Sequence, residues 1–377
     1  MSWIAWKMLT GDRSKYMGII FGVTFASLLI AQQTSIFCGL MLRTTSQIRD
    51  IRGADIWVMD ANVQYIDDLK PLSDIELYRV RGVSGVKWAV PLYKGLSRAR
   101  LEDGNYQQVI LIGVDDATLV GAPEKLYEGS LSDLRLPDAI IMDRAGYRQL
   151  WPGEPFRPGR TFEMNDRRAV IVGICDAQPT FQTFPVVFTR YTQAQRFVPR
   201  ERKLLSFVLA EAEDGIPTSE LCRRIEDQTG LRALTGQDFA WKTMVYYLTR
   251  TGIPINFGTT VLLGFFVGVA IAGQTFYTFT VENLKQFGTL KAMGLSNARI
   301  VGMILLQAVT VGAIGYGLGV GLAALFGIFT QNRTKLAFYM PWWVLVGTGA
   351  AVLLIVVVSS LLSVRRVIVL EPAIVFR

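Results

Sequence analysis

Residues 281–300, VENLKQFGTLKAMGLSNARI, separate two long apolar runs, at 257–281 and 300–329. Each run is long enough to cross a hydrocarbon core of about 30 Å, which takes about 20 helical residues. The interval between them carries lysines and glycines, so it continues neither run. The sequence therefore predicts that the chain leaves the bilayer, forms one short amphipathic helix and enters the bilayer again.

Two further apolar runs, at 16–42 and 342–364, are also long enough to span a membrane. The predicted fold is a membrane protein with four transmembrane helices and a large α+β extracytoplasmic domain between helices 1 and 2. The predicted parts, in order, are an interfacial N-terminal helix at 1–15, the first span at 16–42, the α+β domain at 43–250, a stalk with the second span at 251–281, an amphipathic helix at 282–299, the third span at 300–329, a short loop at 330–341, the fourth span at 342–364 and a tail at 365–377.

The charges are divided unevenly along the chain. Residues 43–258 hold 28 basic and 28 acidic residues, which leaves 11 basic and 3 acidic residues in and around the apolar runs. Nine of these 11 basic residues precede the first span, lie in 282–299 or follow the last span. The positive-inside rule therefore predicts that both termini are cytoplasmic, although Arg333 and Lys335 in the short loop oppose it. The net charge indicates membrane topology, so no nucleic-acid partner is expected.

The first span is expected to be a retained anchor. It is longer than the core of about 7–15 residues found in signal peptides, and it lacks a small-x-small cleavage pattern. Before it, Trp3, Trp6 and Lys7 suit a helix that lies in the interface and contacts membrane lipid, or a basic flank that only orients the span.

Residues 43–250 alternate between strand-like and helix-like patterns. The segments YQQVILIGVD (106–115) and LLSFVLAEA (204–212) favour strands, and TSELCRRIEDQTG (218–230) favours a capped helix. This alternation predicts an α+β domain large enough for its own core. The following AWKTMVYYLTRTGIP (240–254) leads into the second span, so we expect a stalk, which Gly252 and Pro254 can kink.

No catalytic or metal-binding constellation is visible in the sequence. There is no Gly-x-x-x-x-Gly-Lys-Ser/Thr phosphate-binding loop, and the chain contains no histidine. We therefore expect no catalytic residue, no metal site and no cofactor in this chain. Cys175 and Cys222 could form a disulfide in an oxidising compartment. Two cysteines alone do not make a recognisable disulfide pattern, so the free and bridged states both stay open.

Polar and small residues inside the spans allow structural and functional interpretations. Gln32 and Gln33 could hydrogen-bond between helices or line a wet cavity. In the third span, glycines at a spacing of four residues predict faces for close helix packing. These are Gly315 with Gly319 and Gly317 with Gly321.

The amphipathic interval has recognisable ends. Gly294 suits the position just after a helix C-terminus, and Ser296 can cap the helix that follows. Apolar residues recur every third position at Leu284, Phe287, Leu290 and Met293. A simple loop between the second and third spans would need fewer residues. The helix is therefore expected either to contact a partner or to rest on the lipid headgroups.

The interval resembles the coupling helix of ABC permeases of the MacB/FtsX type. Glu282, Gly288, Ala292 and Gly294 fit the frame E-x5-G-x3-A-x-G, directly before a glycine-rich span. The stretches IAWKMLTGD and NLKQFGTLKAMGLSNARI resemble most closely the DevC-like branch, which lacks a fused ATPase, and the tail LEPAIVFR is also similar. Gln286 departs from the second glutamate of many relatives, so no ion pair is assumed there.

The resemblance implies a homodimeric permease in the inner membrane of a Gram-negative-type cell. It would work with two separate ABC ATPase subunits that bind ATP and magnesium, a periplasmic adaptor and an outer-membrane channel. Phe287, Leu290 and Met293 are then expected to form the face that docks on the ATPase, with Lys285 and Lys291 as charge contacts.

The implied function is export of a lipid-like, peptide or drug-like substrate, with the ATPase movement transmitted to the periplasmic domain. Two alternatives stay open at this point. One is an FtsX-like lever that activates an extracytoplasmic partner, and the other is a permease that extracts lipoproteins.

Overall fold

The computed structural model describes residues 13–51, 53–199, 204–333 and 336–368. Most of the predicted interfacial helix at 1–15 and the tail sequence LEPAIVFR lie outside the described residues. The chain divides into two compact units. The membrane unit comprises residues 1–40 and 252–377, and the α+β domain comprises residues 41–251.

The secondary structure alternates between strands and helices in the α+β domain and is helical in the membrane unit. The elements, in chain order, are α1 (Arg13–Thr44), α2 (Ser46–Asp50), β1 (Ile56–Met59), α3 (Asp74–Arg81), β2 (Val86–Arg100), β3 (Tyr106–Val114), β4 (Leu126–Glu128), a 3-10 turn (Leu131–Arg135), β5 (Ala139–Asp143), α4 (Arg144–Leu150), β6 (Thr161–Met164), β7 (Arg167–Cys175), β8 (Val186–Arg190), α5 (Tyr191–Ala194), β9 (Phe207–Ala212), α6 (Thr218–Thr229), β10 (Arg232–Thr235), α7 (Gly236–Arg250), α8 (Ile253–Glu282), α9 (Leu284–Ala292), α10 (Asn297–Arg333) and α11 (Trp342–Ile368).

Among the described residues, four helices are long and apolar enough to cross a membrane, namely α1, α8, α10 and α11. They confirm the predicted architecture, in which the α+β domain follows the first of them. α11 continues to Ile368, beyond the predicted span at 342–364. A helix ends where a cap or a break stops it, so its end need not coincide with the edge of the apolar run.

Glycines allow α10 to approach α1 closely. A Cβ atom added at Gly319 would lie 2.6 Å from the Cβ of Ser27 and 2.8 Å from the backbone nitrogen of Leu28. One added at Gly315 would lie 2.7 Å from the Cγ1 of Val23. These distances are too short for any larger residue, so the Gly315/Gly319 face is a packing face inside the chain.

The second small-residue face of α10 behaves differently. A Cβ atom added at Gly317 or Gly321 would meet nothing within 4 Å. Both glycines are exposed on the isolated chain. Within the described part of the chain neither glycine packs on another helix, because the rotation of α10 presents only the Gly315/Gly319 face to α1. That Gly317 and Gly321 form a face for close helix packing stays a prediction.

Among the described residues, the α+β domain is built on a ten-stranded sheet with the order β10-β1-β9-β2-β3-β8-β5-β7-β4. β6 pairs with both β2 and β7, so the strands β2, β3, β8, β5, β7 and β6 close into a ring. β2 is 15 residues long and takes part in both the ring and the open end of the sheet. A closed ring leaves fewer unpaired strand edges than an open sheet of the same strands would.

Aromatic side chains anchor α7 in the core of the α+β domain. Trp57 is 5.4 Å from Phe207 and 5.6 Å from Phe239, measured between ring centroids. All three side chains are almost fully buried. Because Phe239 belongs to α7, the helix that precedes the second membrane helix is fixed to the domain by its first turns.

The predicted stalk is not one continuous helix. α7 ends at Arg250 and α8 begins at Ile253. Between them Thr251 is extended, with φ −117° and ψ 157°, and Pro254 occupies the first turn of α8. The break lies where Gly252 and Pro254 were expected to produce a kink, and it coincides with the boundary between the two units.

The cysteines are unbridged. Cys38, Cys175 and Cys222 are free and buried. Cys222 packs in the core that contains Leu221 and Ile225, whereas Cys175 packs in the core that contains Trp57. Of the two states that the sequence left open, the structure therefore has the free one.

Native Cys175 and Cys222 are expected to resist alkylation. Burial raises the pKa of Cys222 to about 11, and it raises the pKa of Cys175 further above the usual range. Both thiols thus lack the thiolate form that reacts. Maleimide labelling counted by intact mass should add almost nothing to the native chain and should modify both residues after denaturation. Fast labelling of either one without unfolding would contradict the structure.

Candidate functional site

The residues between α8 and α10 form the candidate site. α8 ends at Glu282 and α9 begins only two residues later, at Leu284. The Asn283 amide Nδ2 donates to the carbonyl of Phe279 at 2.8 Å, and the Phe287 N–H donates to the carbonyl of Asn283 at 3.1 Å. Asn283 therefore bends the helix without releasing it, and α9 moves with the end of α8.

The helix is shorter than the sequence predicted. The predicted helix at 282–299 is corrected to Leu284–Ala292, and α10 already begins at Asn297. Gly294 stops α9 because it adopts φ +90°, a conformation that favours glycine.

The end of α9 is a complete Schellman motif. The Leu295 N–H donates to the carbonyl of Leu290 at 3.1 Å, and the Gly294 N–H donates to the carbonyl of Lys291 at 3.0 Å. The side chain of Leu295 packs on Leu290 and Met303. The reversal from α9 into α10 is thus fixed by hydrogen bonds and an apolar contact.

The apolar face of α9 is buried against the start of α10. Phe287 is fully buried and packs with Ile300 and Ile304. Leu290 is 8% exposed, and Gly288 is also buried. Met293, by contrast, is 67% exposed. The prediction that Phe287, Leu290 and Met293 share one exposed docking face is therefore wrong, since two of them are already covered by the chain itself.

The opposite face of α9 is exposed. Its residues follow one another at three- and four-residue steps, which places them on one side of the helix. They are Lys285, Gln286, Thr289, Ala292 and Met293, and Glu282, the last residue of α8, is also exposed. Gln286 and Thr289 were not predicted to belong to this surface, although a rotation of about 100° per residue places them on it. Lys291 lies between the two faces, half-buried.

Three polar residues of α1, Gln32, Gln33 and Ser35, differ in burial and in hydrogen bonding. Ser35 is buried, its Oγ donates to the carbonyl of Ala31 at 2.6 Å, and its own carbonyl accepts from the Tyr339 N–H at 3.0 Å. Gln32 and Gln33 are half-buried, and their amides have no hydrogen-bond partner within the described part of the chain. Their assignment to a cavity wall stays a prediction.

Within the described ranges, no group of three or more His, Cys, Asp or Glu side chains is placed to hold a metal ion.

A cleft of about 1260 Å³ opens in the α+β domain between α2, the start of α7 and the loop after β7. Asp50 lies in its wall, where one carboxylate oxygen accepts from the Gln178 N–H at 2.7 Å. Burial raises the pKa of Asp50 to about 6, and the neighbouring Asp176 and Asp143 add to the effect of burial, whereas the Gln178 N–H and Arg49 oppose it.

Asp50→Asn is expected to change the pH dependence of stability. A carboxyl group whose pKa is higher in the folded state destabilises the fold once it ionises. The contribution of Asp50 should therefore fall as pH rises from about 4 to about 6 and stay constant above that. The variant, which cannot ionise, should be more stable than the parent by about 1–2 kcal/mol at pH 7.5 and equal to it near pH 4. Thermal unfolding across this range measures the difference, and parallel curves would refute it.

Two family models match the chain. The MacB-like periplasmic core domain matches residues 17–228, and the FtsX-like permease C-terminal domain matches residues 258–372. The second match contains most of α8, all of α9 and α10, and the whole candidate site.

Relatives align along nearly the whole chain. An uncharacterised ABC transporter permease of Mycobacterium tuberculosis (strain H37Rv) is 23% identical over 375 residues, covering 94% of this chain and 92% of its own length. One of Mycobacterium bovis is 24% identical over 365 residues, covering 94% of this chain and 93% of its own length. Nothing in these matches distinguishes the DevC-like branch, which stays a prediction.

Solved structures resemble about half of this chain. The periplasmic region of MacB from Actinobacillus actinomycetemcomitans has a TM-score of 0.38 at 12% identity and covers 52% of this chain and 94% of that chain. The extracellular domain of the noncanonic ABC-type transporter YknZ from Gram-positive bacteria has a TM-score of 0.35 at 13% identity, covering 48% and 98%.

Proposed function

Because the chain belongs to the MacB/FtsX family of ABC transporter permeases, we propose that it is the membrane subunit of an ATP-driven exporter and that α9 receives the movement of a separate ATPase. A permease of this family implies an ATPase partner. The observation that supports the role of α9 is its division into one face locked onto α10 and one face left open.

The proposed path of movement starts at α9. A force on its exposed face passes to α10 through the buried contact of Phe287 with Ile300 and Ile304. It passes to α8 through the helical hydrogen bonds around Asn283. α8 connects through Thr251 and Gly252 to α7, which Phe239 anchors in the α+β domain. Movement at α9 thus reaches the α+β domain along the chain, because packed helices transmit displacement.

The exposed face of α9 indicates the chemistry of the partner. Lys285 presents a positive charge, and Met293 presents a flexible apolar side chain. We expect the ATPase to offer a groove with a carboxylate for Lys285 and an apolar pocket for Met293. ATP and magnesium bind to that ATPase in this proposal, and this chain contributes no cofactor.

The distribution of buried charge supports a mechanical role. Among the described residues, the buried charged side chains are Lys94 and Asp143, and both belong to the α+β domain. Ion-coupled transporters use ionisable residues inside the membrane helices. An ATPase that moves helices needs none, so this pattern favours mechanical transmission.

We further propose the assembly that the family resemblance implied. Two copies of the chain would pair in the inner membrane with both termini in the cytoplasm, and the α+β domain would contact a periplasmic adaptor that leads to an outer-membrane channel. Gln32 and Gln33 would line a wet cavity. The cargo class is lipid-like, peptide or drug-like. An FtsX-like lever is the second candidate, because the FtsX-like match covers most of α8 and all of α9 to α11.

A paired substitution on the exposed face of α9 tests the docking role. Lys285→Glu combined with Met293→Ala should reduce recovery of the ATPase with the affinity-purified chain about tenfold or more, since it reverses a charge and removes an apolar anchor. The recovered subunit must hydrolyse ATP and be identified by mass spectrometry. Tyr339→Ala, an exposed residue beyond the far end of α10, is the matched control. Equal recovery from the double variant and the control would refute this surface.

A further inference from the structure

α8 is the membrane helix with the smallest share of buried residues in its apolar stretch. Only 17% of that stretch is buried, against 50% for α1. Its exposed residues recur at three- and four-residue steps, so they form one line along the helix. We call this line the α8 stripe, and its members are Leu263, Val267, Ala270, Gln274, Tyr277 and Val281.

Gln274 makes lipid alone an unfavourable cover for the α8 stripe. Among the described residues, no group bonds its side-chain amide; its backbone carbonyl, besides its place in the helix, accepts from the Thr278 Oγ1 at 3.0 Å. Gln274 lies eight residues before Glu282, so it is about 12 Å along the helix from the nearest charged residue at that end. An amide that faces hydrocarbon costs free energy. The cover must therefore provide a donor and an acceptor at this depth.

We propose that the α8 stripe is the contact between two copies of this chain, with the two Gln274 amides hydrogen-bonded to each other across the two-fold axis. A primary amide carries both donor and acceptor, and a two-fold interface brings the same residue of each copy together. A second copy therefore supplies the complementary group by symmetry, at the right depth. Ala270, one turn away, lets the helices approach closely. The inference rests on the dimer in the proposed function and adds the surface through which it forms.

Cysteine cross-linking in membranes tests the surface. Leu263→Cys, Val267→Cys and Ala270→Cys lie on the α8 stripe. Leu262→Cys and Ile271→Cys are exposed but lie about 90° to either side, so they are matched controls. The parent chain is the background, because its three thiols are buried. Oxidation should give at least fivefold more disulfide-linked dimer at the stripe positions. Equal cross-linking at the controls, or none on the stripe, would overturn the proposal.

Substitution of Gln274 tests the amide pair. In a Val267→Cys chain, Gln274→Leu should raise the dimer dissociation constant about fivefold or more. The substitution removes the amide pair, and an interhelical hydrogen bond of this kind contributes about 1 kcal/mol in a membrane. Gln274→Asn should retain most of the affinity, since it keeps the amide. An unchanged dimer in Gln274→Leu would refute the pair. ATPase recovery through α9, measured on the same samples, separates this failure from a failure of the proposed coupling role.

Discussion

Gly319→Leu is expected to prevent α10 from packing on α1 and to remove most folded protein from the membrane. Even a single added Cβ at this position would lie 2.6 Å from the Cβ of Ser27, 2.6 Å from the carbonyl oxygen of Thr24 and 2.8 Å from the backbone nitrogen of Leu28. Two of these atoms belong to the backbone of α1 and cannot rotate away. Overpacking of this kind costs about 1–3 kcal/mol and more where backbone must move. That is a large part of the stability of a typical domain.

Gly321→Leu is the matched control for this prediction. Gly321 lies two residues further along the same helix, and a Cβ there meets nothing within 4 Å. Its replacement removes a residue with poor helix propensity, so the folded yield should equal that of the parent or exceed it. Size-exclusion chromatography of detergent-solubilised protein and its melting temperature measure both variants. Gly319→Ala should give an intermediate loss, and equal behaviour of the 319 and 321 variants would disprove the packing.

These glycines show what the sequence can and cannot predict. The spacing of Gly315 with Gly319 and of Gly317 with Gly321 identifies two faces suited to close packing. Which face meets α1 depends on the rotation of α10 in the bundle, and that rotation is decided by the other helices. The number and order of the membrane spans follow from local hydropathy, whereas the partner of each face does not.

The error in the docking face of α9 has a geometric cause. Residues three positions apart advance by about 300° around a helix, so each step drifts back by about 60°. After three such steps, from Leu284 to Met293, the drift reaches about 180°. Leu284 packs with the buried cluster of Phe287, and Met293 is exposed. An apolar repeat of three therefore cannot lie on one face over its whole length.

The α+β domain was predictable in class but not in topology. Alternating apolar patterns identify strands such as β3 and β9, and capped segments identify helices such as α6. The closure of the ring through β6 depends on pairs distant in the chain, such as Ala99 with Met164. Such pairs leave no local signal, because each strand only shows that it is buried.

Phe287→Ala is expected to uncouple the ATPase from the membrane helices while leaving the two proteins bound. Phe287 is fully buried between α9 and α10, where it packs with Ile300 and Ile304. Truncation of a buried phenylalanine costs about 3–5 kcal/mol in a core, enough to free α9 locally from α10. The exposed residues Lys285 and Met293 are untouched, so the ATPase should still be recovered with the chain. ATP hydrolysis should continue without export, measured as cargo release per ATP.

Phe287→Leu and Met293→Ala make this prediction specific. Phe287→Leu keeps most of the buried contact and should restore the ratio of export to hydrolysis, which a general loss of folding would not allow. Met293→Ala should have the opposite effect to Phe287→Ala. It should weaken recovery of the ATPase, while the complexes that remain keep the parental ratio of export to ATP hydrolysis. If Phe287→Ala instead abolished recovery and Met293→Ala had no effect, the ATPase would have to bind the apolar face of α9. That result would require α9 to detach from Ile300 and Ile304 before docking, so the buried contact would be an inhibitory state rather than the path of transmission.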